Sequence, residues 1–355
     1  METTTNLLIK EILIESIKSN AFDIHFSVGN YPLIRVINNN LMFLEDKGII
    51  NQDFIEQMVS SMLTAKQKAI LEKEKEIIFS YNFDKNLRFK VNIFYQKGFL
   101  SVTLRYIKSQ IPSLEDLGLA DLKFLSKLQR GLVVISGPFG SGRSSTAASL
   151  INEINKISKK YIITVEQPIE FIFVNDKSII EQREVGKDAN SFYNALTYFQ
   201  EEGGDVLFVD RMNDPKIIPL ILEIATSSLV FTIVTANSAQ AVISLIVDSF
   251  QSFDQERIRD MLANSLKAVI CQKMIPKISG GVKVIYEYLP VNESVKATIQ
   301  SGNLKQIDNI INTSKKIGMI SLEQSLALAV KNGEIEIGEA MENAKNQKLL
   351  ENLLN

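Results

Sequence analysis

Ten consecutive residues, Gly137-Pro-Phe-Gly-Ser-Gly-Arg-Ser-Ser-Thr, have the types and spacing to hold phosphate. Glycines at 137, 140 and 142 let the backbone turn its N–H groups inward around anionic oxygens. A helix starting just after them adds partial positive charge at its N-terminus. Arg143 supplies a fixed cation, Ser144 stands where a hydroxyl would meet Mg²⁺, and Ser141 and Ser145 complete the cradle. The usual lysine of GxxxxGK[ST] is Arg143, which keeps the charge but exchanges a compact ammonium for a planar fork. The bland alternative is an ordinary Gly-Ser turn. Against it stand the apolar strand Val133-Val-Ile-Ser directly before and a helical segment beginning near Ser144 directly after.

Such a loop needs a buried parallel sheet behind it. From Gly131 onward apolar runs alternate with helical segments, which is how a mostly parallel sheet is built. The runs Leu132 to Ser136, Tyr161 to Glu166, Val206 to Asp210 and Leu229 to Val234 are nearly unbroken, as strands covered on both faces require. Before them, Asn6 to Lys18 is amphipathic at helical spacing, and Asp23 to Val28 and Leu33 to Val36 read as short strands. Residues 51 to 73 read as helix, and Glu76 to Phe83, Leu87 to Tyr95 and Leu100 to Ile107 as three strands of one antiparallel sheet. The expected organisation is a small α+β domain over 1–108, a linker over 109–120 containing Gln110-Ile-Pro-Ser, and an α/β domain over 121–355 whose pattern turns helical from about 290.

Composition narrows the classes. The chain has 355 residues, 45% apolar and 23% charged, enough for two packed domains. A formal net charge of -2 with mixed signs argues against nucleic acid as the main partner. The single cysteine, Cys271, excludes a disulfide framework and a structural zinc set. It lies in an apolar stretch and reads as a packed core thiol in a reduced, cytosolic protein. No apolar run reaches the length of a membrane span and the first residues lack a signal-peptide pattern, so membrane contact is expected only through partners.

The wider sequence resembles the secretion-superfamily hexameric ATPases, and within them the type IV pilus retraction group, PilT/PilU-like proteins. Ala21-Phe-Asp-Ile-His-Phe-Ser-Val-Gly is similar to that group's SDIHxSxG, and Leu87-Arg-Phe-Lys-Val-Asn-Ile-Phe-Tyr-Gln-Lys-Gly to its RxRxNxFxQRG. Ile111-Pro-Ser-Leu-Glu-Asp-Leu-Gly-Leu, Val165-Glu-Gln-Pro-Ile-Glu-Phe, Glu181-Gln-Arg-Glu-Val-Gly-Lys-Asp and Ile317-Gly-Met-Ile-Ser-Leu resemble further segments of it. One cysteine excludes the four-cysteine zinc insertion common in extension motors. The resemblance implies a RecA-like P-loop domain preceded by a PAS-like domain, and a subunit that binds ATP and Mg²⁺. It also implies a homo-hexamer or a mixed ring with an active paralogue, working beneath an inner-membrane pilus platform protein on the cytoplasmic side.

Against that family's pattern the catalytic positions are altered. Its DVILVGEMRD reads Asp205-Val-Leu-Phe-Val-Asp-Arg-Met-Asn-Asp here, so Arg211 stands where the glutamate base belongs. Asp210 before it ends a strand as a magnesium-holding aspartate does. Thr235 takes the histidine position of GTLHTxSA, Ala225-Thr-Ser-Ser replaces AETGH, and Gln167 follows Glu166 where an aspartate belongs. A guanidinium cannot accept a proton from water, so hydrolysis is expected to be weak or absent. Two other readings stay open: an active ATPase using Glu166, Glu201, Glu202 or Asp210 as the base, and a non-enzymatic ring subunit that no longer binds nucleotide. In active relatives, arginines of the first domain reach the neighbour's nucleotide; Arg88 and Arg105 match those best, with solvated surface charge as the bland alternative. The sole histidine, His25, reads as a structural strand residue.

Overall fold

The computed structural model describes residues 4–19, 21, 23–36, 41–84, 87–107, 110–313 and 318–355. Lys108 and Ser109, where the sequence places the first domain boundary, lie outside the described residues, as do Phe22 and Ile317 of two of the motifs. The chain divides into two compact units, Met1–Gln110 with Glu170–Ile172, and Ile111–Ile169 with Phe173–Asn355.

In the first unit α1 (Thr4–Lys18) precedes β1 (Asp23–Ser27), β2 (Leu33–Arg35) and β3 (Leu41–Phe43). Helices α2 (Gln52–Met62) and α3 (Ala65–Glu74) follow, and then β4 (Glu76–Asn82), β5 (Arg88–Gln96) and β6 (Phe99–Ile107). The strands form one antiparallel sheet in the order β3-β2-β1-β6-β5-β4. Strand alternation puts Ile24, Phe26, Val91, Ile93, Val102 and Leu104 on one face. There they bury against Ile9, Ile12, Leu13, Ile55 and Met58 of the helices. The single helix expected over 51–73 is two. Thr64 breaks it, accepting from the Gln67 N–H while the Gln67 side chain accepts from the Thr64 N–H at 2.9 Å. This reciprocal cap satisfies two otherwise orphaned donors at the start of α3.

His25 sits on the polar face, its Nδ1 3.1 Å from the Thr103 hydroxyl. Burial holds its pKa below the ordinary imidazole value, with Arg35 and Arg105 adding to that and Asp23 opposing it. A folded-state pKa below the unfolded one means protonation favours unfolding. Stability is therefore expected to fall as pH drops below about 6.5. The chain has one histidine, so a single imidazole NMR titration with a midpoint under that value checks the prediction.

The second unit is built on the seven-stranded order β13-β12-β7-β11-β10-β8-β9. In chain order these are β7 (Gly131–Ser136), β8 (Tyr161–Glu166), β9 (Ile179–Glu184), β10 (Val206–Val209), β11 (Leu229–Val234), β12 (Leu266–Pro276) and β13 (Val282–Pro290). All neighbours pair parallel except β12 with β13. Alternating side chains feed two cores. Val133 and Ile135 of β7 pack with Leu150, Ile151 and Ile154 of α4 (Arg143–Ile157), whereas Leu132 and Val134 face the opposite layer. That layer holds α5 (Phe192–Phe199), α6 (Ile218–Ile224), α7 (Ala239–Asp248) and α8 (Ser252–Ser265). The phosphate-loop strand β7 is separated from β10 by one strand, β11, in a RecA-like arrangement. Helical structure resumes with α9 (Glu293–Ser301) and α10 (Gln306–Thr313) and ends with α11 (Leu322–Lys331), α12 (Ile337–Asn343) and α13 (Gln347–Leu354). These last three cover Ile275 and Ile285 of the β12–β13 hairpin. Among the described residues no helix is long and apolar enough to cross a membrane.

Candidate nucleotide-binding site

The loop between β7 and α4 has the backbone that phosphate binding requires. Gly137, Gly140 and Gly142 all take positive φ, at 149°, 78° and 83°. At Gly137 a side chain is excluded twice: its Cβ would lie 2.2 Å from the Gln272 carbonyl oxygen and 2.5 Å from Ser141 Oγ. Gly142 is the residue from which α4 springs, so the first N–H groups of a 15-residue helix open onto the loop. Ser141 is only 2% exposed, and its Oγ is buried with no hydrogen-bond partner among the described residues. Buried hydroxyls in native proteins are nearly always satisfied. An orphan in a cradle of donors is what a site completed by an anionic ligand looks like.

Arg143 reaches across β7 to β11. Its Nη1 donates to the Val234 carbonyl at 3.0 Å and to Thr235 Oγ1 at 2.6 Å. The two altered positions of the phosphate loop and the histidine box are thus direct partners. Ser144 and Ser145 occupy the first turn of α4, and Ser145 also accepts from Ser149 through its carbonyl at 2.7 Å.

The opposite wall comes from the carboxyl ends of β8 and β10. Glu166 is buried at the end of β8, its Oε1 accepting from Thr164 Oγ1 at 2.7 Å and Gln182 Nε2 at 3.2 Å. Asp210 falls one residue past the end of β10, not inside the strand as expected, and its own N–H donates to Val165 at 3.2 Å. Its carboxylate is gripped from two sides, by the Gln167 N–H on Oδ2 at 2.6 Å and by Arg211 Nε on Oδ1 at 3.0 Å. Arg211 also donates from Nη2 to the Gln167 carbonyl at 2.9 Å, and its guanidinium lies 4.8 Å from the centre of the Phe192 ring. The peptide Gln167-Pro168 is cis. Arg211 is therefore a fixed cation in the wall and no proton acceptor.

The loop and the strand order together are those of a RecA-like P-loop fold, and the profile described as "Type II/IV secretion system protein" matches residues 2–348 of the chain. The chain belongs to that family. It is 34% identical over 343 residues to the type IV pilus retractation ATPase PilT of Pseudomonas aeruginosa, spanning 95% of this chain and 98% of that protein. To a twitching motility protein of Neisseria gonorrhoeae it is 35% identical over 326 residues, 89% of this chain and 85% of the other. The crystal structure of the pilus retraction motor PilT with bound ADP superposes with a TM-score of 0.82 at 35% identity, over 97% of this chain and 99% of that one.

Within this family member the other expected residues are distributed as follows. Glu201 and Glu202 follow α5 and precede β10, so they lie at the edge of the sheet where β10 begins, opposite the phosphate loop. Glu202 is taken up there by Arg183 at 2.8 Å. Glu166 and Asp210 are the carboxylates at the loop side. Arg105 clamps β6 to β1, its Nε and Nη2 meeting the two Asp23 oxygens at 2.7 and 3.0 Å. Arg88 donates to Asn82 Oδ1 at 3.0 Å and Ser80 Oγ at 2.9 Å. Neither arginine is a purely solvated charge. Cys271 is buried; burial first, with Glu287 adding, pushes its thiol up to about 11, so it stays neutral and packed as expected. Residue-by-residue reading missed Gln272 and Phe192, which hold the loop and Arg211 respectively. The signal for Gln272 was a lone amide inside the apolar strand run of β12.

Proposed function

We propose that this chain is a PilT/PilU-like type IV pilus motor subunit that binds ATP and hydrolyses it poorly, acting in pilus retraction or related secretion. The observation that carries the reading is Arg211. At the position of the water-activating carboxylate stands a guanidinium bonded to Asp210 and to the Gln167 carbonyl and stacked on Phe192. The cradle fits a nucleotide's phosphates: positive-φ glycines, the start of α4, an orphaned Ser141 hydroxyl and Arg143. Mg²⁺, when bound, neutralises charge on the phosphates. Ser144 would offer it a hydroxyl, and Asp210 would reach it through water. Glu166 lines the same edge, and Thr235 holds the cation of Arg143 toward β11.

Relatives named as pilus ATPases support placing the subunit in a homo-hexamer or a mixed ring with an active paralogue. There Arg88 and Arg105 would face the neighbour's nucleotide. The ring would work at the cytoplasmic side of the inner membrane against the pilus platform protein, touching the membrane through partners and binding no nucleic acid. Calorimetric titration of the full chain with ATP and with ADP tests the nucleotide half of the reading. Saturable binding is expected for both. No binding at millimolar nucleotide would favour a ring subunit that has lost its ligand.

A further inference from the structure

The phosphate loop is held in register by one residue far along the chain. Gln272 sits in the middle of β12 with none of its surface exposed. Its Nε2 donates to the Ser141 carbonyl at 2.6 Å, and its Oε1 accepts from Thr146 Oγ1 at 3.0 Å. Its own backbone carbonyl is one of the two groups that forbid a Cβ at Gly137. The start, middle and helix end of the loop therefore all rest on this position. In a trans peptide the C=O and the following N–H point in opposite directions. Drawing the Ser141 carbonyl toward Gln272 thus turns the Gly142 N–H away from it, toward the open side of the loop. Beside that peptide lies the buried, unpartnered Ser141 hydroxyl, which independently marks the place as one awaiting a ligand atom.

We infer that Gln272 is a positioning residue for nucleotide binding: by pinning the Ser141 carbonyl it aims the Gly142 N–H at a phosphate oxygen, without touching nucleotide itself. The inference rests on the reading of the loop as a nucleotide site. It separates two bonds of one amide, since the Ser141 bond orients the loop while the Thr146 bond braces α4.

The test measures ATP and ADP dissociation constants by calorimetry, alongside thermal unfolding, for the full chain and its variants. Gln272→Met keeps the volume and removes both bonds. It is expected to weaken both nucleotides by about 10- to 100-fold, the value of one hydrogen bond to a charged group. Thr146→Val keeps the Ser141 bond, and its loss of affinity is expected to be smaller than that of Gln272→Met, whatever it does to melting. Gln272→Glu provides a second arm if the methionine variant does not fold. As a carboxylate it repels the Ser141 carbonyl, and as a neutral acid its O–H can donate to it. Its affinity deficit relative to wild type is therefore expected to shrink from pH 8.5 to pH 5.5. A folded Gln272→Met with wild-type affinity, or a Gln272→Glu deficit that ignores pH, would overturn the inference and leave the nucleotide site standing. Absence of binding in the wild type would overturn both.

Discussion

Replacing Arg143 by alanine weakens ATP binding by about 10- to 100-fold, while Arg143→Lys stays within about threefold of wild type. A charge-assisted hydrogen bond to a phosphate contributes about 1.5–3 kcal/mol, and Arg143 is the cation that the loop itself supplies. Its bonds to the Val234 carbonyl and Thr235 lie at the end of β11 and outside the buried cores, so the fold is expected to survive their loss. The lysine variant separates charge from shape. It keeps the cation and gives up the fork that reaches Thr235. Calorimetry on the three proteins, with circular dichroism to confirm folding, checks the expectation. Equal affinity for wild type and Arg143→Ala would mean that the loop does not use this cation for nucleotide.

The second large effect is a gain. Arg211→Glu returns a proton acceptor to the end of β10, and phosphate release is expected to rise at least about tenfold. A restored general base alone is worth about 10²–10⁴, but Arg143, Gln167 and Thr235 remain as they are, and the new carboxylate adjoins Asp210. The variant also gives up the Phe192 contact, which at this partly exposed site is worth about 0.5–1 kcal/mol, so a slightly lower melting temperature accompanies the gain. Arg211→Ala is the control: it removes the same bonds without supplying a base and is expected to show no rise. A rise with alanine equal to that with glutamate would identify Arg211 as a block on a base that already exists, with Asp210 as the nearest carboxylate.

The elements behind the loop were legible because each announces itself locally. Three glycines, an apolar run before them and a helical segment after them fix β7, the loop and α4. The runs at Tyr161–Glu166 and Leu229–Val234 match β8 and β11 end to end. Less local features were lost. Strand β9 reads Ile-Ile-Glu-Gln-Arg-Glu, an edge strand with one well-covered face, and so lacks an apolar run. The β12–β13 hairpin begins in an apolar stretch that follows α8 without a breaker, where helix and buried strand look alike. The break between α2 and α3 was readable in principle, since Thr64 and Gln67 have the spacing of a reciprocal cap.

In the site, residue identity showed what had been replaced but not what the replacements touch. Nothing local in the sequence pairs Arg143 with Thr235, or Arg211 with the carbonyl of Gln167. Those meetings depend on strand order, which puts β11 beside β7 and β10 beside β8. Gln272 is the extreme case, acting on a loop more than a hundred residues earlier through a contact that only the parallel pairing of β12 with β7 creates. Arg105 shows the reverse limit. Motif position suggested a role toward a neighbour, and the fold adds a bidentate bond to Asp23 within its own sheet.

The most direct test of the account is phosphate release by the wild-type chain at saturating ATP and Mg²⁺, on the same preparation whose binding has been shown by calorimetry. The account predicts bound nucleotide with release no faster than in the Arg143→Ala control. Sustained turnover of the wild type at about 1 s⁻¹ or more, within the range of ordinary enzymes, would contradict it and assign the base to a carboxylate still in the wall.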